Sequence, residues 1–336
     1  MVSEKSLQNY PEMPLPQQDW DVIIPNPLLN EQLAYDQEAM SNRVEHNYPC
    51  FNPEQKLAFD KVVNSAKNHK GKIFFIHSAG GCGKTHVSNT IAAAIHADDH
   101  ISLCVASSAI AAHLLHGGCT THLHFKIPIL IDESFSCNIK RDQNLHQVLK
   151  QTKLIIWDKA PMQHCHGPDA LDHTLRDLFK QDGQHIDQVP LFASITVMFV
   201  SDFRQTLPVV QRASRVQIIN ASLCKSRLWR HVHVLHLTQN MHLDYTPESD
   251  AFAQWLLTIG AGSPLPPDKS IQLPKNTSLP HNDIKELINA IYPGINQGNL
   301  EDQFFLKHTI LSSKNDTVDQ INQLILDRYV SWVHTS

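Results

Sequence analysis

The chain has 336 residues, 42% of them apolar and 18% charged, which suits about two globular domains and excludes a disordered or fibrous chain. A formal net charge of −5 excludes a bulk polycation, so any nucleic acid must meet a local patch. No apolar run approaches the roughly 20 residues of a membrane span, and the N-terminal MVSEKSLQNY lacks an apolar signal region. The seven cysteines are scattered with no C-x-x-C, the usage of reduced thiols inside a cell.

Residues 1–50 read as an extended arm, with Pro11, Pro14, Pro16, Pro25 and Pro27 interrupting any period. A helix follows, with Asn52 as cap, Pro53 at its first position and Gln55 three after the cap. Leu57, Phe59, Val62, Val63 and Ala66 supply its apolar face. Strands are expected at 72–77, 101–106, 154–157, 195–200 and 232–237. Helices are expected after 85, around 108–116 and through Leu171, Leu175, Leu178 and Phe179. This alternation predicts an α/β domain with a mostly parallel sheet over 51–240. Beyond it, 248–259 reads as a helix, 260–280 as a Pro-rich connector, 304–312 as a strand and 315–328 as a helix.

The turn Ser78-Ala79-Gly80-Gly81-Cys82-Gly83-Lys84-Thr85 differs from G-x-x-x-x-G-K-[ST] only in its first residue. With a strand before and a helix after, its backbone N–H groups suit phosphate oxygens. Lys84 then reaches the β- and γ-phosphates and Thr85 ligates Mg²⁺. Asp158, at the end of Leu-Ile-Ile-Trp, is placed to be the second metal ligand. These residues predict a P-loop NTPase that binds ATP and Mg²⁺.

The ordered motifs resemble the Pif-type (petite integration frequency) DNA helicases, most closely the copies carried by Helitron-like transposable elements. Phe51–Gln55 resembles the Q motif, 78–85 the first motif, Ala106–Ala112 motif Ia, and Gly118–His122 with Phe125–Pro128 a further family segment. Leu154–Met162 resembles the second motif, Ser201–Pro208 the third and Leu237–His242 the fourth. Ile310–Asn315 and Val318–Asn322 resemble the start of a second RecA-like domain over 241–336, incomplete at the C-terminus.

The resemblance implies a RecA-like fold and ATP hydrolysis coupled to 5′–3′ unwinding of DNA. It further implies single-stranded and duplex DNA as partners, a monomer and no membrane. A role in DNA repair, recombination or transposition follows, in the nucleus or, as the other compartment, the mitochondrion. It makes Gln205 a γ-phosphate sensor, Arg204 a phosphate or interdomain contact and Gln55 an adenine contact. Gln55 equally suits a capping box with Asn52. A small strand-separating pin is expected within about 123–150, where Phe135 is an apolar candidate without an assigned role.

Several positions depart from the family pattern. Lys159 stands where the family has the Glu that deprotonates the attacking water. Loss of a general base costs on the order of 10² to 10⁴ in rate. His242 and His308 replace family Arg, Cys119 another Arg, and Ser201 a Gly. Each change is one C-to-T or G-to-A transition away, consistent with 22 His against only nine Arg and with a decaying transposon copy. Two readings stand: an active DNA-stimulated ATPase, and an impaired nucleotide- and DNA-binding remnant. His164-Cys165-His166 is too tightly spaced for one metal ion to use all three. Lys61, Lys67, Lys70 and Lys72 read as a solvated helix surface.

Overall fold

The computed structural model describes residues 26–128, 131–132, 135–141, 143–205, 207–243, 246–262, 271, 273–274, 278, 283–295, 300, 302–312 and 314–333. Residues 1–25 of the expected arm lie outside these, as do 129–130, 133–134 and 142 of the expected pin and most of the 260–280 connector. The chain divides into two compact units, Met1–Ser263 and Pro264–Ser336.

The described part of the arm is helical rather than extended. Helix α1 spans Pro27–Leu33 and α2 spans Gln37–Asn47. Pro27 sits in the first turn of α1, where its missing N–H costs nothing, and Asn26 caps it by accepting from Leu29 N–H. Asp36 caps α2 through Glu38 and Ala39. Pro27 thus starts a helix instead of preventing one. Tyr35, between the two helices, stacks on His96 with ring centroids 4.0 Å apart, and Asn47 donates to Thr90 at 3.0 Å.

Helix α3 (Pro53–Lys67) carries the complete Asn52/Gln55 capping box. Strand β1 (Ile73–Ser78) leads through the glycine-rich turn into α4 (Lys84–His96). There follow β2 (Ile101–Ala106), α5 (Ala109–His113), the short β3 (Cys119–Thr120), α6 (Thr121–His124) and α7 (Asn144–Gln151). Next come β4 (Thr152–Asp158), α8 (His166–Phe179), β5 (Thr196–Ser201), α9 (Arg215–Asn220), β6 (Val232–Leu237) and α10 (Pro247–Ala261). The six strands form one parallel sheet in the order β3-β2-β4-β5-β1-β6.

Alternating side chains feed two cores, one on each face, as the period of two requires. Phe74, Ile76, Leu154, Ile156, Met198 and Val200 join α3 and α4 on one face. Ile73, Phe75, Ile155, Trp157, Val197 and Phe199 join α7 and α8 on the other. Phe135 packs partly buried against this second core. On α8, the wholly buried Asp172 accepts from Phe192 N–H at 2.7 Å and pairs with Arg176 and Arg227. This network fixes the loop that enters β5.

The second unit contains α11 (Ile284–Ile291), α12 (Asp302–Lys307) and α13 (Asn315–Val333). Ile288, Tyr292, Ile295 and Ile321 form its core. The strand expected over 304–312 is instead α12 followed by an irregular segment. Its Phe-Phe-Leu run has the apolar density of a strand. Among the described residues of this unit, however, there is no second strand to pair with, and a helix satisfies its backbone internally. Phe304 stacks on His308 at 4.3 Å, and its carbonyl lies 2.7 Å from His308 Nδ1.

Candidate nucleotide site

The parallel order puts the carboxyl ends of β4, β5, β1 and β6 side by side, where open α/β sheets bind ligands. Each of those ends carries residues of the motifs read from the sequence. Ser78 begins the phosphate loop after β1, Asp158 ends β4, Asp202 follows β5, and Thr238 follows β6.

The loop is held by its surroundings. Gly81 and Gly83 both have positive φ, +80° and +79°, which L side chains rarely adopt. Gly81 packs against the Asn240 side chain, and its carbonyl accepts from Met241 N–H at 2.8 Å. Gln55 is 3% exposed, and both ends of its amide are engaged. Its Oε1 accepts from Asn52 N–H at 3.0 Å and its Nε2 donates to the Cys82 carbonyl at 3.1 Å. The residue thus braces the phosphate loop from α3, with one lone pair and one N–H of its amide beyond these two bonds.

Lys84 opens α4 and turns back on the loop. Its Nζ donates to the Ala79 carbonyl at 2.6 Å, the Ser78 carbonyl at 3.0 Å and the Ser78 hydroxyl at 3.1 Å. Ser78, in the position of the motif's first Gly, therefore contributes a ligand to the lysine. Burial lowers the Lys84 pKa, with the Lys159 charge acting in the same direction. Thr85 follows in the first turn of α4, half-buried.

Asp158 is 5% exposed, and burial raises its pKa against the opposing effects of the Lys159 N–H, Lys159 and Lys84. Its Oδ1 accepts from Lys159 N–H at 2.8 Å. The Thr85 hydroxyl and the Asp158 carboxylate are hard oxygen donors of the kind Mg²⁺ takes alongside water and phosphate oxygens. They fit the ion expected from the sequence, which when bound would neutralise phosphate charge.

Lys159 adopts a left-handed conformation (φ 54°, ψ 31°), pinned because its N–H also reaches the Val200 carbonyl at 2.9 Å. From there its Nζ donates to Gln205 Oε1 at 3.2 Å. The Gln205 amide nitrogen lies over Gly80, 3.7 Å from where a Cβ on that glycine would be. Lys159, Gln205 and the phosphate loop are thereby one connected group.

Arg204 lines the same side of the site and is tied to Asp202. Its N–H and Nε both donate to Asp202 Oδ1, at 3.0 and 2.9 Å. Burial pushes Asp202 upward, but these bonds outweigh it and leave its pKa lowered. Ser201 is fully buried in β5, and its hydroxyl has no hydrogen-bond partner among the described residues.

A cavity of about 670 Å³ opens over the loop between Gly80, Gln205, Thr238, Asn240 and His242. Leu257 and Gly260 of α10 close its far side, and Gly260 lets the Arg204 side chain approach. Asn240 falls within the fourth motif, whereas α10 was not expected at the site, since no motif spacing links it to the loop. Nor did sequence assign Glu54 a role. That carboxylate accepts from Thr238 N–H at 2.6 Å and from the Thr238 hydroxyl at 2.7 Å, joining α3 to the end of β6.

His164, Cys165 and His166 converge more closely than their spacing suggested, with all ligand atoms within 4.8 Å of one another. Local bonds account for them: His164 Nδ1 accepts from His166 N–H at 3.2 Å, and the buried thiol donates to Asn220 O at 3.5 Å. Among the described residues no helix is long and apolar enough to cross a membrane.

A parallel sheet with a glycine-rich loop after β1, an acidic residue ending β4 and a glutamine after β5 defines a RecA-like P-loop nucleotide-binding protein. The family model described as PIF1-like helicase matches residues 50–269, and the chain belongs to that family. The chain matches no curated protein sequence.

Among solved structures it is similar to a Pif1 helicase from a study of forked duplex DNA unwinding by two coordinating Pif1 helicases. That match has 21% identity and a TM-score of 0.50, covering 65% of this chain and 50% of that one. It is also similar to Pif1 helicase from Bacteroides in complex with ADP-AlF3 and single-stranded DNA, with 21% identity, a TM-score of 0.50 and coverage of 70% and 56%. Candida albicans Pif1 helicase matches with 19% identity, a TM-score of 0.51 and coverage of 74% and 55%. At these identities the likeness is one of fold. The chain spans about half the length of these helicases.

Proposed function

We propose that the chain is an ATP-dependent DNA helicase of the Pif type, which couples Mg²⁺-assisted ATP hydrolysis to 5′–3′ unwinding. The observation that carries this reading is the meeting of the phosphate loop and Gln205 around one cavity at the carboxyl edge of the sheet, with Lys84 bonded to the Ala79 carbonyl of that loop and Lys159, next to Asp158, bonded to Gln205. Lys84 and the loop N–H groups would hold the phosphates, Thr85 and Asp158 the metal, and Gln205 the terminal phosphate. Support for DNA comes from the relatives solved with it and from the segment after β2. There Ser108 caps α5 while Ile110 stands 80% exposed beside it, as a surface that meets a partner would. Repair, recombination or transposition is the expected setting, and the nucleus the expected compartment.

A second reading, an impaired nucleotide- and DNA-binding protein, is favoured by one contact. The Lys159 ammonium lies on Gln205 where the family's general base would stand. A charged lysine accepts no proton from water.

The test is ATP hydrolysis by the purified chain with and without single-stranded DNA, alongside unwinding of duplexes with 5′ or 3′ tails. DNA-stimulated turnover with 5′-tailed unwinding supports the first reading. Nucleotide binding without turnover supports the second, and failure to bind nucleotide rejects both.

A further inference from the structure

We propose that Lys159 binds the terminal phosphate of a nucleoside triphosphate and supplies charge that Mg²⁺ otherwise brings, so that this chain grips ATP without a metal. The inference rests on the nucleotide-binding reading above.

The lysine is held in place from both sides. Its N–H is shared between Val200 O and Asp158 Oδ1, and its backbone sits in the left-handed region, which sets where the side chain leaves the turn. The ammonium ends 3.2 Å from Gln205 Oε1, while the other end of that amide lies over Gly80 of the phosphate loop. Lys84 approaches the same loop through the carbonyls of Ser78 and Ala79. A triphosphate lying along the loop would therefore meet Lys84 at one side and Lys159 at its terminal group.

The charges at this end favour a polyanion. Asp202 is occupied by Arg204, and one oxygen of Asp158 already accepts the Lys159 N–H. Two ammonium groups thus act with one carboxylate partly neutralised by its own neighbour. Mg²⁺ dehydrates reluctantly and demands near-octahedral geometry. A cation on the residue next to its carboxylate ligand opposes its entry. Metal and Lys159 therefore compete for the same phosphate charge, and the lysine is always present. Charge-assisted hydrogen bonds of this kind are worth about ten- to a hundredfold in affinity. A diphosphate does not extend to Lys159 and gains nothing from it.

The experiment is titration of the full chain with fluorescently labelled ATP and ADP, once with Mg²⁺ and once with EDTA. Triphosphate affinity in EDTA is expected within about threefold of that in Mg²⁺, with ATP about tenfold tighter than ADP. Lys159→Glu and Lys159→Gln should each weaken ATP binding in EDTA by about tenfold or more, and by a smaller factor in Mg²⁺, where the ion supplies part of the charge. Two variants guard against one that fails to fold, with circular dichroism as the control. Wild-type binding that vanishes in EDTA while persisting in Mg²⁺ overturns the inference alone. So do folded Lys159 variants that bind unchanged in EDTA. A folded wild-type chain that binds neither nucleotide in either buffer overturns the nucleotide-binding reading itself.

Discussion

Replacing Gln55 with Ala separates the two roles that its position allows. The side chain is 3% exposed and makes one bond at each end, from Asn52 N–H and to the Cys82 carbonyl. Truncation removes the returning arm of the capping box, worth about 1 kcal/mol. It also leaves the Cys82 carbonyl without its partner beside a buried residue, a cost of about 1–3 kcal/mol. The expected loss is about 2–4 kcal/mol, which at a urea slope of roughly 2 kcal/mol per molar lowers the midpoint by about 1–2 M. Because the lost bond braces the phosphate loop rather than a base, ATP and GTP affinities should fall together. Urea unfolding followed by circular dichroism, with titrations of both nucleotides, reads both effects. An unchanged midpoint with ATP alone weakened would refute the bracing role and support Gln55 as an adenine reader.

Other expectations follow from the same geometry. Lys159→Glu should raise DNA-stimulated ATP turnover by about 10² to 10⁴ if the missing base is the principal lesion; a flat steady-state assay would locate the loss elsewhere. Asp172→Ala should destabilise by about 2–4 kcal/mol, because it takes the acceptor from the buried Phe192 N–H and one carboxylate from Arg176, which keeps its bonds to Val189 O and Ile186 O, whereas Arg227→Ala at the half-exposed end should cost about 1 kcal/mol or less. Equal midpoint shifts in the two variants would contradict that assignment.

Burial holds the His96 imidazole down at about 4, against backbone hydrogen bonds at His100 and Ser102. Its folded pKa is below the unfolded value of about 6.5, so the unfolded chain binds more protons between them. Stability should therefore be fully present above about pH 6.5 and fall by roughly 2–3 kcal/mol towards pH 4. His96→Phe, which keeps a ring against Tyr35, should flatten that slope in urea midpoints measured against pH.

The parallel sheet and the phosphate loop were legible in sequence because they depend on local signals. Apolar runs of four to six residues at 72–77, 154–157 and 195–200 marked buried strands, and Lys84-Thr85 after three glycines marked the loop. The helix Pro27–Leu33 was hidden by its proline, since proline breaks a helix interior but starts a first turn equally well. The 304–312 segment was misread because a short apolar run has the same density in a strand as in a helix.

Sequence by itself determined which chemistry is present: a phosphate loop, a strand-end Asp158, and a Lys159 where a base would be expected. Tertiary structure alone decided how those groups are deployed. Only the packing of α3 on the loop turned both ends of Gln55 inward. Only the adjacency of β4 and β5 pinned Lys159 between Val200 and Asp158 and brought its ammonium to Gln205, 46 residues away in the chain. Only the return of α10 closed the cavity over the loop. These relations lie between residues far apart in sequence, where neither spacing nor periodicity carries information about distance.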